Sequence, residues 1–168
     1  MTTDEEIQKP IELLMAQEPY SRFFKPPTDQ RIGEFKLSDE GRPFRADVCY
    51  QVSTGGYLFI EHDNAQTGLN NLAKYWLLVN QKRLCSQLFL IHIIDNKRPA
   101  ATRLCKFIGQ RFEDATNAKY FLREVSDWHN SEWRDRLVEV LNEIIKELAN
   151  QGVERTGDSR GRSSSSHP

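Results

Sequence analysis

RADVCYQVSTGGYLFIEHDNAQTGLNNLAKYW, residues 45–76, reads as a strand, a tight turn, a second strand and an amphipathic helix. Ser53-Thr54-Gly55-Gly56 supplies the turn, because glycine takes up positive φ without a Cβ penalty. The β-prone runs on either side predict strands over 44–52, with Pro43 at its edge, and 57–63. From about residue 65 to 80, Leu69, Leu72, Ala73, Trp76 and Leu77 recur at i, i+3, i+4, i+7 and i+8, the spacing of a buried helical stripe.

Three acids fall on this hairpin. Glu61 and Asp63 are two residues apart and share one face of their strand. Counting inward from the glycine turn sets Asp47 nearly opposite both. Gln66, Asn70 and Lys74 form a polar stripe beside the buried stripe of the helix. Acids on a hairpin are often merely solvated. Here Tyr57, Leu58, Phe59 and Ile60 predict a strand covered on both faces, where carboxylates carry a desolvation cost. Converging carboxylates repel one another unless a cation sits among them, and oxygen ligands of this charge suit Mg²⁺ or Mn²⁺. Such an ion polarises a phosphoryl oxygen and activates bound water. Lys74 reads either as a solvated helix lysine or as the cation that stabilises an anionic transition state or orients water.

Outward from this core, residues 4–17 carry Ile7, Ile11, Leu14 and Met15 at helical spacing, with Thr3 or Asp4 as cap and Pro10 inside. Pro19 ends the pattern and Pro26-Pro27 marks a loop. A short strand is expected over 31–37. The apolar run QLFLIHII, residues 87–94, suits a central strand covered on both faces. Pro99 opens a helix to about residue 112 with Leu104, Phe107, Ile108 and Phe112 as its buried stripe. A strand follows over 119–125. Asn130 or Ser131 then caps a last helix to about residue 150, with Leu137, Leu141, Ile144, Ile145 and Leu148 inward. Residues 151–168 are glycine, serine and charge, and read as a disordered tail after one domain over 1–150. The order αβββαβαβα predicts an α/β fold with a mixed central sheet flanked by helices.

Composition bounds the function. The chain has 168 residues, 38% hydrophobic and 28% charged, enough for one domain with a real core. No apolar run approaches the roughly 20 residues of a membrane span, so no membrane partner is expected. The acidic N-terminus lacks a signal-peptide layout. Cys49, Cys85 and Cys105 are odd in number and form no CxxC pair, which points to reduced thiols in a cytoplasmic protein. A net charge of −1 argues against a high-affinity, non-sequence-specific nucleic-acid binder. Arg42, Arg45, Lys82, Arg83, Lys97, Arg98, Arg103, Lys106 and Arg111 nevertheless gather in the middle of the chain. No GxSxG, P-loop, dinucleotide fingerprint or HExxH is present.

The αβββαβ order over residues 4–127, with Asp47 on one strand and Glu61 on the next, resembles the PD-(D/E)XK nuclease superfamily, whose fold is restriction-endonuclease-like. The tract FIEHDNAQTGLNNLAKYW is similar to the Glu-x-Asp version in the nuclease-like domain of replication-relaxation proteins. The resemblance implies a metal-dependent endonuclease that hydrolyses DNA phosphodiester bonds, with Asp47, Glu61 and Asp63 holding Mg²⁺ or Mn²⁺. Asp63 stands where the superfamily usually has lysine, which makes Lys74 the substitute, supported by Gln66. Ala46 stands where proline is usual. The alternative is a catalytically degenerate nuclease fold that serves as a nucleic-acid or protein interaction module. A homodimer or a larger complex would suit cleavage of both strands.

His62 alternates away from Glu61 and Asp63 and reads as a core or interface histidine; His92, mid-strand, reads as a satisfied core histidine. His129 reads as a cap or a solvent-facing residue. Glu12, with Glu5 and Glu6 behind it, is either a solvated helix acid or a further acid directed toward the metal. Trp128 and Trp133 read as packing anchors.

Overall fold

Gly55 and Gly56 adopt φ of +92° and +106°, and the hairpin turns there as the sequence predicts. A Cβ on Gly56 would lie 2.2 Å from the Gln87 carbonyl oxygen, so the turn also needs glycine for room. The computed structural model describes residues 4–27, 34–36, 43–80, 87–95, 97–126 and 130–157.

The elements are α1 (Asp4–Met15), α2 (Tyr20–Phe23), β1 (Phe24–Lys25), β2 (Glu34–Lys36), β3 (Pro43–Arg45), β4 (Val48–Val52), β5 (Tyr57–Asn64), α3 (Ala65–Asn80), β6 (Leu88–Asp95), α4 (Pro99–Ala115), β7 (Ala118–Val125) and α5 (Glu132–Gly157). Five strands form one mixed sheet in the order β1-β4-β5-β6-β7. β4 is antiparallel to β1 and β5, whereas β5, β6 and β7 run parallel, joined by α3 and α4 as crossovers. The chain is therefore α/β, with helices packed on both faces of the sheet.

β6 is buried along Leu88–Ile94, as a central strand should be. The sheet separates two cores. Leu58, Ile60, Phe89, Ile91 and Ile93 pack with α1 and α5. Phe59, Leu88 and Leu90 pack with Leu72, Tyr75 and Leu78 of α3 and Phe112 of α4. Alternation along β5 puts Glu61 and Asp63 on the Phe59 face, under α3 and α4.

Several expectations need correction. The strand expected over 44–52 breaks at Ala46-Asp47. The Asp47 carboxylate accepts the His62 amide at 2.9 Å, so a side chain takes the place of the ladder there. The strand expected over 31–37 appears as β2, which pairs with β3 in a separate two-stranded ribbon rather than in the main sheet; 31–33 and 37 lie outside the described residues. The sheet's edge beside β4 is instead Phe24–Lys25, over which the sequence predicts no strand. Leu77, Leu104 and Phe107, expected in the core, are exposed, because α3 and α4 turn Tyr75, Leu78, Cys105 and Phe112 inward. The last helix continues past residue 150 to Gly157, within the stretch read as tail, and residues 158–168 lie outside the described ones, as do Cys85, Trp128 and His129. Trp133 is buried, as an anchor should be. Among the described residues no helix is long and apolar enough to cross a membrane.

Candidate functional site

The three acids converge where β4 begins and β5 ends. Val48 pairs with Ile60, so Asp47 precedes the ladder beside Glu61. In the parallel ladder Glu61 pairs with His92, and Asp63 with Ile94. α3 starts at once after β5 because the Asn64 side chain accepts the amides of Gln66 and Thr67 at 3.0 and 3.1 Å, a side-chain N-cap. That cap fixes which face of α3 lies over the acids.

Glu61 is 1% exposed. Its Oε1 accepts the Tyr75 hydroxyl at 2.5 Å, and its Oε2 lies 3.4 Å from Asn71 Nδ2. The same amide donates to Asp63 Oδ2 at 2.7 Å, so Asn71 bridges two acids. Lys74 Nζ donates to Asn71 Oδ1 at 3.2 Å and so joins the network through the amide. Asp47 Oδ2 accepts the His62 amide and lies 2.8 Å from its ring Nδ1. His92 Nδ1 lies 3.0 Å from the Tyr120 hydroxyl, and its Nε2 is 3.5 Å from Asp63 Oδ2.

The electrostatics differ sharply between neighbours. Burial, the Asp47 charge and Asp63 push Glu61 well above the ordinary carboxyl range, against the Tyr75 hydrogen bond that favours ionisation. Burial also raises Asp47, but the His62 ring and amide more than offset it, and Asp47 ends below its ordinary value. Burial, then Glu61, holds the Tyr75 hydroxyl neutral. Cys105 is pushed up to about 11 by burial and by Asp63. The acids thus split into an ionised Asp47 and a Glu61 that resists ionisation. Adjacent carboxyls whose environments separate their titration are a recurrent property of functional sites.

Asp47, Glu61 and Asp63 are brought together, and Lys74 reaches them through Asn71. Gln66 and Asn70 are exposed, so the stripe of α3 that meets the acids is Asn71, Lys74 and Tyr75, not Gln66, Asn70 and Lys74. The helix is rotated by about one residue (~100°) relative to the sequence reading. Asn71 and Tyr75, at i and i+4, were legible as a polar pair within an apolar stripe. Among the described residues no three Asp, Glu, His or Cys side chains close around one ion-sized point. On the other side of Asp47 a groove of about 520 Å³ opens, lined by Glu12, Met15, Phe24, Lys25 and Tyr50 among others. Glu12 is exposed and lines this groove; burial first, then the Glu12 charge, raise Tyr50 to about 12.

No protein-family model, no curated protein and no solved structure matches the chain.

Proposed function

We propose that this protein is a metal-dependent nuclease that hydrolyses DNA phosphodiester bonds, on a restriction-endonuclease-like fold of the PD-(D/E)XK kind. The observation that carries the reading is the buried Glu61, set between Asp47 and Asp63 with its carboxyl driven above the ordinary range by burial and by those two charges. A fold gains nothing from three acids so placed, because each additional carboxylate raises the cost of the others. A bound cation reverses that sign.

By donor type Asp47, Glu61 and Asp63 offer the carboxylate oxygens that Mg²⁺ or Mn²⁺ takes, and the side chains would draw in around the ion from their present spacing; among the described residues His92 Nε2 is a buried polar atom with no hydrogen-bond partner. When bound, the ion supplies Lewis-acid polarisation and a more acidic water. The chain's own residues do the rest. Asn71 orients Glu61 and Asp63 together. Tyr75 locks the Glu61 rotamer from below. Lys74 lies two hydrogen bonds from the acids, through Asn71, where an ammonium offsets charge on a phosphate in flight. The groove has Asp47 in its wall and gives an extended substrate a route to that acid, and Gln66, exposed at the start of α3, would meet a substrate backbone from the solvent side.

A second reading, a degenerate fold acting as an interaction module, is favoured by one observation. Asp47 already has His62, and Asp63 already has Asn71, so the network can close on itself. Cleavage separates the two. Single-stranded, double-stranded and branched DNA would be incubated with Mn²⁺ or Mg²⁺ and the protein, with Asp47→Ala and Glu61→Ala as controls. Cleavage lost in both folded variants supports the nuclease. Cleavage undiminished in either sinks the assignment.

A further inference from the structure

His92 is fully buried in the middle of β6, and the ordinary reading is a core histidine with both ring nitrogens satisfied. One nitrogen is satisfied, by the Tyr120 hydroxyl on Nδ1. The other, Nε2, has no hydrogen-bond partner among the described residues. Buried polar atoms without partners are rare and call for an explanation.

Its direction supplies one. Glu61 and His92 are partners in the parallel ladder and lie on the face covered by α3 and α4. Nε2 sits 3.5 Å from Asp63 Oδ2, beyond the roughly 2.9–3.0 Å of a well-formed N–H···O bond. It is close to the spacing of about 3.0–3.4 Å between two donors sharing one ion at bonds of about 2.1 Å. The ring is also held in place. Gly109 on α4 has no side chain, and a Cβ there would fall 2.0 Å from the Tyr120 ring. One edge of the Tyr120 ring therefore packs against the helix at Gly109, with its hydroxyl on Nδ1. In the tautomer with its proton on Nδ1, donated to that oxygen, Nε2 carries a lone pair directed toward Asp63. Ligating histidines are characteristically oriented through their other nitrogen in this way.

We propose that His92 Nε2 and Asp63 Oδ2 form a nitrogen–oxygen ligand pair, and that the centre accordingly takes Mn²⁺ in preference to Mg²⁺. This rests on the metal-centre reading above and specifies its ion. Mg²⁺ keeps to oxygen donors and demands near-octahedral geometry, whereas imidazole suits first-row transition ions. His62, although closer to a carboxylate, is no part of the pair, because its ring is turned to Asp47.

The test is pulsed electron paramagnetic resonance of Mn²⁺ bound to the whole chain, read for ¹⁴N coupling from a directly bound imidazole. Calorimetric Mn²⁺ and Mg²⁺ affinities accompany it. The variants are His92→Gln and His62→Gln. The expected result is nitrogen coupling in the wild type and in His62→Gln, absent in His92→Gln. The ratio of Mn²⁺ to Mg²⁺ affinity should fall about tenfold or more in His92→Gln. Mn²⁺ bound to the wild type without nitrogen coupling overturns the proposal and leaves the metal centre standing. Coupling kept in His92→Gln and lost in His62→Gln also overturns it. No Mn²⁺ bound at all overturns this pair and the metal centre together. The wild-type spectrum decides even where His92→Gln fails to fold.

Discussion

Replacing Glu61 by glutamine should make the metal-free protein more stable at neutral pH. The side chain is 1% exposed, and burial together with Asp47 and Asp63 raises its carboxyl well above 4.5. Glutamine keeps the acceptor for Tyr75 and removes the charge; its N–H₂ replaces the oxygen that lies 3.4 Å from Asn71 Nδ2, so that long contact is the one hydrogen bond given up. The folded state holds the Glu61 proton more tightly than the unfolded chain does. The wild type is therefore favoured below pH 4.5 and loses stability as pH rises from there until the folded group ionises. Glutamine has no such loss. The gap between variant and wild type should be small near pH 4 and widen at up to about 1.4 kcal/mol per pH unit, the limit for one proton. For a chain of this length that is about 3–6 °C of Tm per pH unit. Thermal or urea melts of both proteins in chelator, at half-unit steps from pH 4 to 8, measure it. A variant less stable than the wild type at pH 7, or a gap that ignores pH, would refute the claim that Glu61 is held at a cost to the fold.

Four other outcomes follow from the same geometry. Tyr75→Phe removes a buried 2.5 Å hydrogen bond to Glu61 and should cost about 1–3 kcal/mol in urea melts. Asn71→Ala leaves Glu61 and Asp63 without their shared donor and should cost a similar 1–3 kcal/mol in chelator, with Mn²⁺ restoring part of it. Lys74→Ala should lower kcat by about 10²-fold or more, with Mn²⁺ affinity nearly unchanged by calorimetry; equal losses in both would make it a binding residue. Gly109→Ala drives a methyl into Tyr120 and should cost about 1–3 kcal/mol, whereas Gly109→Ala paired with Tyr120→Leu should recover most of it.

Local signals in the sequence carried far. Gly55-Gly56 set the hairpin, the unbroken apolar run of β6 marked a central strand, and i+3/i+4 spacing marked α3, α4 and α5, because each is written in neighbouring residues. What neighbours do not decide was missed. Phe24–Lys25 is too short to show a period, and it becomes a strand only because β4 offers it an edge. β2 lies outside the main sheet for the same reason in reverse. Leu104 and Phe107 continue the apolar pattern of α4, yet the residues it buries are Thr102, Cys105, Gly109 and Phe112. At the site, strand alternation set Glu61 and Asp63 on one face and the hairpin count brought Asp47 beside them. The rotation of α3 depended on the Asn64 cap, one residue that selects Asn71 and Tyr75 over Gln66 and Asn70. His92 looked satisfied because mid-strand position carries no information about which ring nitrogen has a partner.

Calorimetric titration of Mn²⁺ into the wild type, Asp47→Asn and Glu61→Gln, at one protein concentration and pH 7.5, tests the metal centre most directly. The account predicts binding to the wild type that weakens at least about tenfold in each variant, although Glu61→Gln is the more stable apoprotein. Binding of equal strength in all three would contradict it.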